Sequence, residues 1–523
     1  MTPLSPQSGS ALPLSRLNRH LAQPRDAEPR GDEPHRDATD LVNARAWLAA
    51  LTILDDEGVG LEEIDGRLTD VLPRVASTLR LPMTVALPGM SPRYGRLAKR
   101  RGSATVERLP ERYSVSARAA DVTSELHALA LVVAHRAAAN ESTGVLIEDA
   151  VPPAAFHALA DLERHWEVGP TPQKVEKLRD RLDQTMKHLW TTELRALLHS
   201  TSHIDAFTNF PIGLLRPPGS TAPLAARVPI AYHPISPVTR ALQIELGSGG
   251  HVDFSKGFSV LIVECISADD RVGAASRRAW KVAEELSDAK RSVSIRLAET
   301  LTVKALREAV ARYRPDILVI SAHGFYSPEL NTAGLLIGKE KSLGTDLGPM
   351  PALVILSACH SAPRGGTGVA VTDLLLWAGA KAVVSTLVPV DVIHNSVFMT
   401  RLLVNLSDSV AGAADHKDLL GVWHRVQSSN AIVDIANGNG PLKEWAHTRE
   451  DSPSPIIQFM RGKSKGRPSL DHIYRDTESV LLEIAAEQGI REKVAGWLRA
   501  PGYLPESMMY TLVGDASAIR LQM

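Results

Sequence analysis

Two strings decide the fold: residues 316–325, DILVISAHGF, and residues 352–361, ALVILSACHS. Each is an apolar run that stops at one reactive side chain, His323 in the first and Cys359 in the second. Residues 317–320 and 353–356 show no alternation of apolar with polar positions. That pattern predicts strands buried on both faces, as in a parallel sheet. In open parallel sheets, functional groups gather beyond the carboxyl ends of the strands. If these two strands adjoin, an imidazole and a thiol meet at one edge. A Cys/His nucleophilic pair is the chemistry those residue types support.

Outward from the two strings, the chain alternates strand and helix from residue 258. FSVLIVECIS, SVSIRLAETLT and AVVSTLVPV read as strands, and GLLIG as a short one. RRAWKVAEELSDAKR, VKALREAVARYR and GVAVTDLLLWAGA read as helices. The order predicts an α/β domain with a mostly parallel sheet and helices on both faces. Residues 424–500 are more polar and read as an insertion, with a helix at DTESVLLEIAAEQ. MMYTLV near the end reads as a returning strand.

The N-terminal part differs. Residues 1–42 are rich in Pro, Arg, Asp, Glu and Ser and too poor in apolar residues to offset ordering entropy, so a disordered tail is expected. Residues 43–184 read as a mainly helical domain, with NARAWLAALTIL and LEEIDGRLTDVLPRVASTL as helices and MTVALPGM and STGVLIEDA as candidate short strands. Arg93, Arg96, Lys99, Arg100 and Arg101 form a basic cluster that reads as solvated surface or a docking patch. Val175, Leu178, Leu182, Met186 and Leu189 mark a long amphipathic helix. FPIGLLRPPGSTAPLAARVPIAYHPIS, beginning at Phe210, reads as short strands broken by Pro and Gly.

Composition narrows the function. The 523 residues carry 58 Lys+Arg against 59 Asp+Glu, a net charge of -1. No basic excess points to nucleic acid, and direct binding of it is not expected. The only two cysteines, Cys265 and Cys359, exclude a four-cysteine zinc or disulfide framework. No apolar run reaches the roughly 18–20 residues that span a bilayer. The expectation is a soluble, cytoplasmic protein without cofactor or metal.

Around the two strings the sequence resembles the CHAT peptidases, relatives of caspases and separase. The resemblance rests on Ser321-Ala322-His323-Gly324, on Ser357-Ala358-Cys359, and on GGTG beginning at Gly365. Ala378-Gly379-Ala380, the Pro389-Val390-Asp391 turn and the apolar residues Phe398, Met399, Leu402 and Leu403 extend it, as does YTLVGD from Tyr510. It covers residues 185–517. The chain departs from the pattern at Ser361, Ala362, Val388 and Val392. The resemblance implies a caspase-like three-layer sandwich and a cysteine endopeptidase with a His323/Cys359 dyad. It implies an oxyanion hole made by the backbone N–H groups of Gly324 and Cys359. It also implies a protein substrate and latency until an activating protein partner binds, in bacterial defence or programmed cell death.

A thiol near neutral pH is already strongly nucleophilic in its small thiolate fraction. Cys359 is expected to lie at a helix N-terminus, where the dipole favours the anion. His323 supplies a proton to the leaving amine. Asp391 has two readings, a helix cap or the wall of a pocket that selects Arg or Lys before the cleaved bond. Cys265 reads as structural, His360 as a bystander and His394 as an ordinary polar residue. Two other readings remain: a scaffold that keeps the fold and binds a partner, and nucleotide binding through GGTG, which lacks the Lys-Ser/Thr of a P-loop.

Overall fold

A computed structural model describes residues 81–89, 128–136 and most of 140–522, apart from short stretches such as 236–244, 328–331 and 449–452. The expected tail at 1–42, the first two N-terminal helices and the basic cluster at 93–101 lie outside the described residues.

The fold is built on a mostly parallel sheet with helices on both faces. Its strands are β1 (Leu81–Ala86), β2 (Thr143–Leu146), β3 (Thr201–Phe207), β4 (Ile230–His233), β6 (Phe258–Glu264), β7 (Val293–Glu299), β8 (Ile317–Ser321), β12 (Leu353–Ser357), β13 (Ala382–Thr386) and β14 (Tyr510–Gly514). They lie in the order β2-β1-β3-β4-β14-β13-β12-β8-β6-β7. Every adjacent pair is parallel except β13 and β14. The sheet is therefore two parallel blocks that meet antiparallel where the chain's last long strand returns to its centre. The short β5 (Val252–Asp253) pairs outside it.

Continuous apolar runs form the central strands because each face has its own core. In β8, Ile317 and Val319 face one cluster and Leu318 and Ile320 the other. In β12, Leu353 and Ile355 divide from Val354 and Leu356 in the same way. The first cluster is closed by Trp280 of α3 (Arg271–Asp288), and by Phe398, Met399, Leu402 and Leu403 of α6 (Val392–Val410). Leu306 of α4 (Val303–Tyr313) and Val371 and Leu375 of α5 (Val371–Trp377) close the second. Fully burying such side chains contributes about 1.5–3 kcal/mol each, so the sheet is held as a slab between two dry layers.

The N-terminal region is not purely helical. MTVALPGM and STGVLIEDA supply β1 and β2, which join the same sheet through β3. Two helices follow, α1 (Pro153–Glu167) and α2 (Pro172–Thr185). The predicted amphipathic face of α2 is buried at Val175, Leu178 and Leu182, and continues through Met186 and Leu189. The segment from Phe210 contains one strand, β4; its earlier part is a 3₁₀ turn and a one-turn helix, because its prolines remove ladder donors. Residues 424–500 hold most of α7 (Leu419–Ser429) and then α8 (Ala431–Ala436), α9 (Gly440–His447), α10 (Ile473–Glu487) and α11 (Arg491–Arg499) between α6 and β14.

Candidate active site

β8 and β12 adjoin in parallel, and their register sets Ser321 beside Ser357. His323 and Cys359 each lie two residues further on, beyond the carboxyl ends of neighbouring strands. Neighbouring strands run about 4.8 Å apart. The bond from the Ala322 N–H to the Ser357 carbonyl, 3.2 Å, carries the pairing past the strand ends. His323 then opens β9 (His323–Ser327), which pairs antiparallel with β10 (Thr332–Ile337), itself paired with β11 (Glu340–Ser342).

Gly324 is the tightest contact of the site. A Cβ built there would lie 1.7 Å from the Cys359 carbonyl oxygen. Only glycine lets the backbone after the histidine lie against the backbone of the cysteine. Sequence motif and packing agree here for a steric reason.

The imidazole has a partner that sequence reading did not single out. His323 Nε2 lies 3.1 Å from Asp270 Oδ2. Asp270 sits between β6 and α3 and also accepts the Val272 N–H through Oδ1 at 2.8 Å. That amide and His323 hold the carboxyl pKa below its usual value. The only sequence signal for Asp270 was its position as a cap before a helix, which does not announce a histidine 53 residues away. With Nε2 taken by the carboxylate, Nδ1 is the ring nitrogen left for proton transfer.

The thiol is half-buried. Its hydrogen donates to the Val390 carbonyl at 3.6 Å. Among the described residues it makes no direct hydrogen bond with the imidazole. Burial pushes the thiol pKa up, and the carboxylates of Glu506 and Asp391 push it the same way. The expected helix N-terminus is not there: Cys359 enters a loop, and α5 begins twelve residues later at Val371. The dipole therefore does not stabilise a thiolate at this position.

Asp391 caps α6, its Oδ1 accepting the N–H groups of Ile393 and His394 at 2.9 and 3.0 Å. Its own N–H donates to the Glu506 carboxylate. Burial raises the Glu506 pKa, the His394 charge opposing it. Two carboxylates thus sit near the thiol. Cys265 is buried at 1% exposure beside Thr300, and burial pushes its thiol up to about 12. It is an inert core residue.

Two histidines, read as a bystander and as an ordinary polar residue, have partners that the sequence did not announce. His394 is 4% exposed, with Nε2 3.0 Å from Asp434 Oδ1 and Nδ1 3.4 Å from the Tyr510 hydroxyl. Asp434 also accepts from the Tyr474 hydroxyl at 2.9 Å, from the Ser507 N–H at 3.1 Å and from the Ser507 hydroxyl. Tyr510 donates to Asn395 Oδ1, and Asn395 Nδ2 donates to the Ser357 hydroxyl at 2.6 Å. A buried polar chain thus runs from α10 in the insertion to a residue two before Cys359. His360 directly follows the nucleophile candidate with φ 55, a left-handed conformation, and pairs with Glu167 at 2.8 Å.

The CHAT domain family model matches residues 173–420, a span holding both His323 and Cys359. The chain carries a CHAT domain. Among solved structures, this chain is similar to gingipain R, described as an Arg specific cysteine proteinase, at 8% identity and a TM-score of 0.39, covering 85% of this chain and 78% of that one. It is also similar to the Saccharomyces cerevisiae separase in its complex with securin, at 10% identity and a TM-score of 0.32. That match covers 75% of this chain and 33% of the separase chain, so this chain spans about a third of that neighbour's length. No curated protein matches the sequence. Among the described residues, no helix is long and apolar enough to cross a membrane.

Proposed function

We propose that this chain is a cysteine endopeptidase acting through Cys359 and His323, with Asp270 orienting the imidazole. The carrying observation is the β8–β12 register, which brings the two side chains to adjoining strand ends with Gly324 packed on the Cys359 backbone. In the reaction, His323 accepts the thiol proton as Sγ attacks the peptide carbonyl. It returns that proton to the departing amine, leaving a thioester that water hydrolyses. The N–H groups of Gly324 and Cys359 are the proposed oxyanion donors, each worth about 2.7–4 kcal/mol in the transition state.

The resting thiol is held protonated by burial and by two carboxylates. A cationic side chain bound beside Asp391 and Glu506 would neutralise them and lower the thiol pKa, which supports Arg or Lys before the cleaved bond. Latency until a protein partner binds, and a role in bacterial defence or programmed cell death, belong to the same proposal. The thiol's bond to Val390 rather than to the imidazole is what supports a resting, inactive state. The same bond favours the second reading, a scaffold that keeps the fold and binds a partner. New protein N-termini that appear on expressing the wild type, and not Cys359→Ala or His323→Ala, would establish the peptidase. Identical N-termini in all three, with labelling of Cys359 by a thiol-reactive peptide probe independent of His323, would reject it.

A further inference from the structure

The loop that leaves Cys359 is held from outside its own layer. Glu163 on α1 is 4% exposed. Its Oε1 accepts the backbone N–H groups of Arg364 at 2.7 Å and of Gly365 at 3.0 Å. Gly366 donates to the same carboxylate. Gly365 lies on the helix backbone: a Cβ there would fall 2.2 Å from the Ala160 nitrogen. One helical turn further on, Glu167 holds His360 Nδ1 at 2.8 Å. The other His360 ring nitrogen is buried without a partner. Only one other described residue besides glycine has a positive φ. The strained turn sits at the residue that decides where the chain goes after the cysteine, and hence whether its carbonyl rests on Gly324.

We propose that Glu163 and Glu167 are positioning residues for Cys359, and that α1 is the route by which the N-terminal region sets the reactivity of the thiol. This rests on the reading of Cys359 as the nucleophile. Glu163 replaces water for three loop amides at once, so the loop keeps one path while α1 stays docked. Glu167 ties the imidazole of His360 and so holds that residue in its unfavourable conformation. A partner that fastens α1 on the loop keeps both ties, the activating direction, whereas undocking of α1 releases both together. His360 then returns to ordinary backbone, and the Cys359 carbonyl leaves Gly324.

The test uses the full chain and two readouts. Iodoacetamide reports access to the thiol, with buried Cys265 as the internal control for unfolding. Turnover of a peptide cleaved by the wild type reports alignment. Glu163→Ala is expected to lower kcat at least tenfold with KM within twofold. It should also speed alkylation of Cys359 at least threefold while Cys265 stays unlabelled. Glu163→Gln keeps a carbonyl oxygen for the Arg364 and Gly365 amides and should restore both readouts to within twofold. Glu167→Ala should lose kcat as well. That loss should shrink when the same change is made with His360→Gly, because glycine holds φ 55 without the tie. Wild-type alkylation and kcat in Glu163→Ala, with only a lower melting temperature, would overturn the proposal. So would equal losses from Glu167→Ala with and without His360→Gly. Identical new protein N-termini in cells expressing the wild type and Cys359→Ala would overturn the peptidase reading instead, and the alkylation rates would still decide this one.

Discussion

Gly324→Ala is the sharpest perturbation of the site. The new methyl would lie 1.7 Å from the Cys359 carbonyl oxygen, where real Cβ atoms essentially never approach within 3.0 Å. The obstacle is backbone on both sides, so no side chain can swing away. The two segments must separate by about 1.3 Å, since 1.7 Å is that much less than the 3.0 Å limit. Overpacking of this kind costs about 1–3 kcal/mol of stability. Misplacing reacting groups by about 1 Å costs about 10²-fold in rate. The expected variant is folded, melts lower and has kcat/KM reduced about a hundredfold. Gly334→Ala is the matched control. Its methyl would meet the Ser342 carbonyl at 2.5 Å and the Phe325 ring at 2.6 Å, in the same small sheet, and its three nearest atoms include none of Cys359. It should lose stability and keep most of its turnover. Peptide cleavage and thermal melting of both variants decide the matter. Equal activity in Gly324→Ala and Gly334→Ala would refute the claim that this contact aligns the cysteine.

Asp270→Asn should keep the cap on α3 but lose the charge beside His323. We expect kcat to fall about 10- to 100-fold with an unchanged melting temperature, less than the ~10⁴ seen for fully buried partners because Asp270 is 39% exposed. Burial alone lowers the His394 pKa, but Asp434, Glu506 and Asp391 outweigh it and raise the folded value above 6.5. The pair's contribution is therefore complete below pH 6.5 and fades as pH rises through the folded value. Urea unfolding at pH 6 and pH 9 should show this loss in the wild type and a flatter profile in His394→Gln. Asp434→Ala leaves His394, Tyr474 and Ser507 without their shared acceptor and should cost about 3–5 kcal/mol in the same assay. Asp391→Ala should cost about 1 kcal/mol as a lost cap. A peptide library profiled with that variant would show weaker selection for Arg or Lys, and unchanged selection would remove Asp391 from the pocket.

The core of the α/β layer was legible because its strands are buried on both faces. DILVIS and ALVILS have no polar alternation to confuse their reading, and each ends where the sheet ends. The likeness of the His and Cys strings was enough to pair two residues 36 apart. What failed has a common cause. Asp270, Glu163 and Glu167 act on the site through space, from elements whose own periodicity says only that they are a loop cap or an amphipathic helix. His360 looks ordinary because sequence carries no sign of φ. The helix dipole expected at Cys359 failed because the helix read at GVAVTDLLLWAGA lies beyond the GGTG loop and begins only at Val371, twelve residues past the thiol. MTVALPGM and STGVLIEDA could be read as strands, but not as strands of the same sheet, since parallel partners need not be close in sequence.

The cysteine loop is thus gripped from two directions by different chemistry. From α1, carboxylates take the loop's amides and one imidazole. From the insertion, the Tyr474–Asp434–His394–Tyr510–Asn395 chain reaches Ser357 on the strand that presents the cysteine. The two grips differ in what can undo them. The insertion's chain is sealed, with His394 and Asp434 4% and 3% exposed. Breaking it leaves buried polar groups unpaired, so it acts as fixed framework. Glu167, by contrast, is 42% exposed at the end of its helix, and its bond to His360 can be exchanged for water at small cost. The framework supplies the geometry, and the exposed end of α1 is where a binding event could change it.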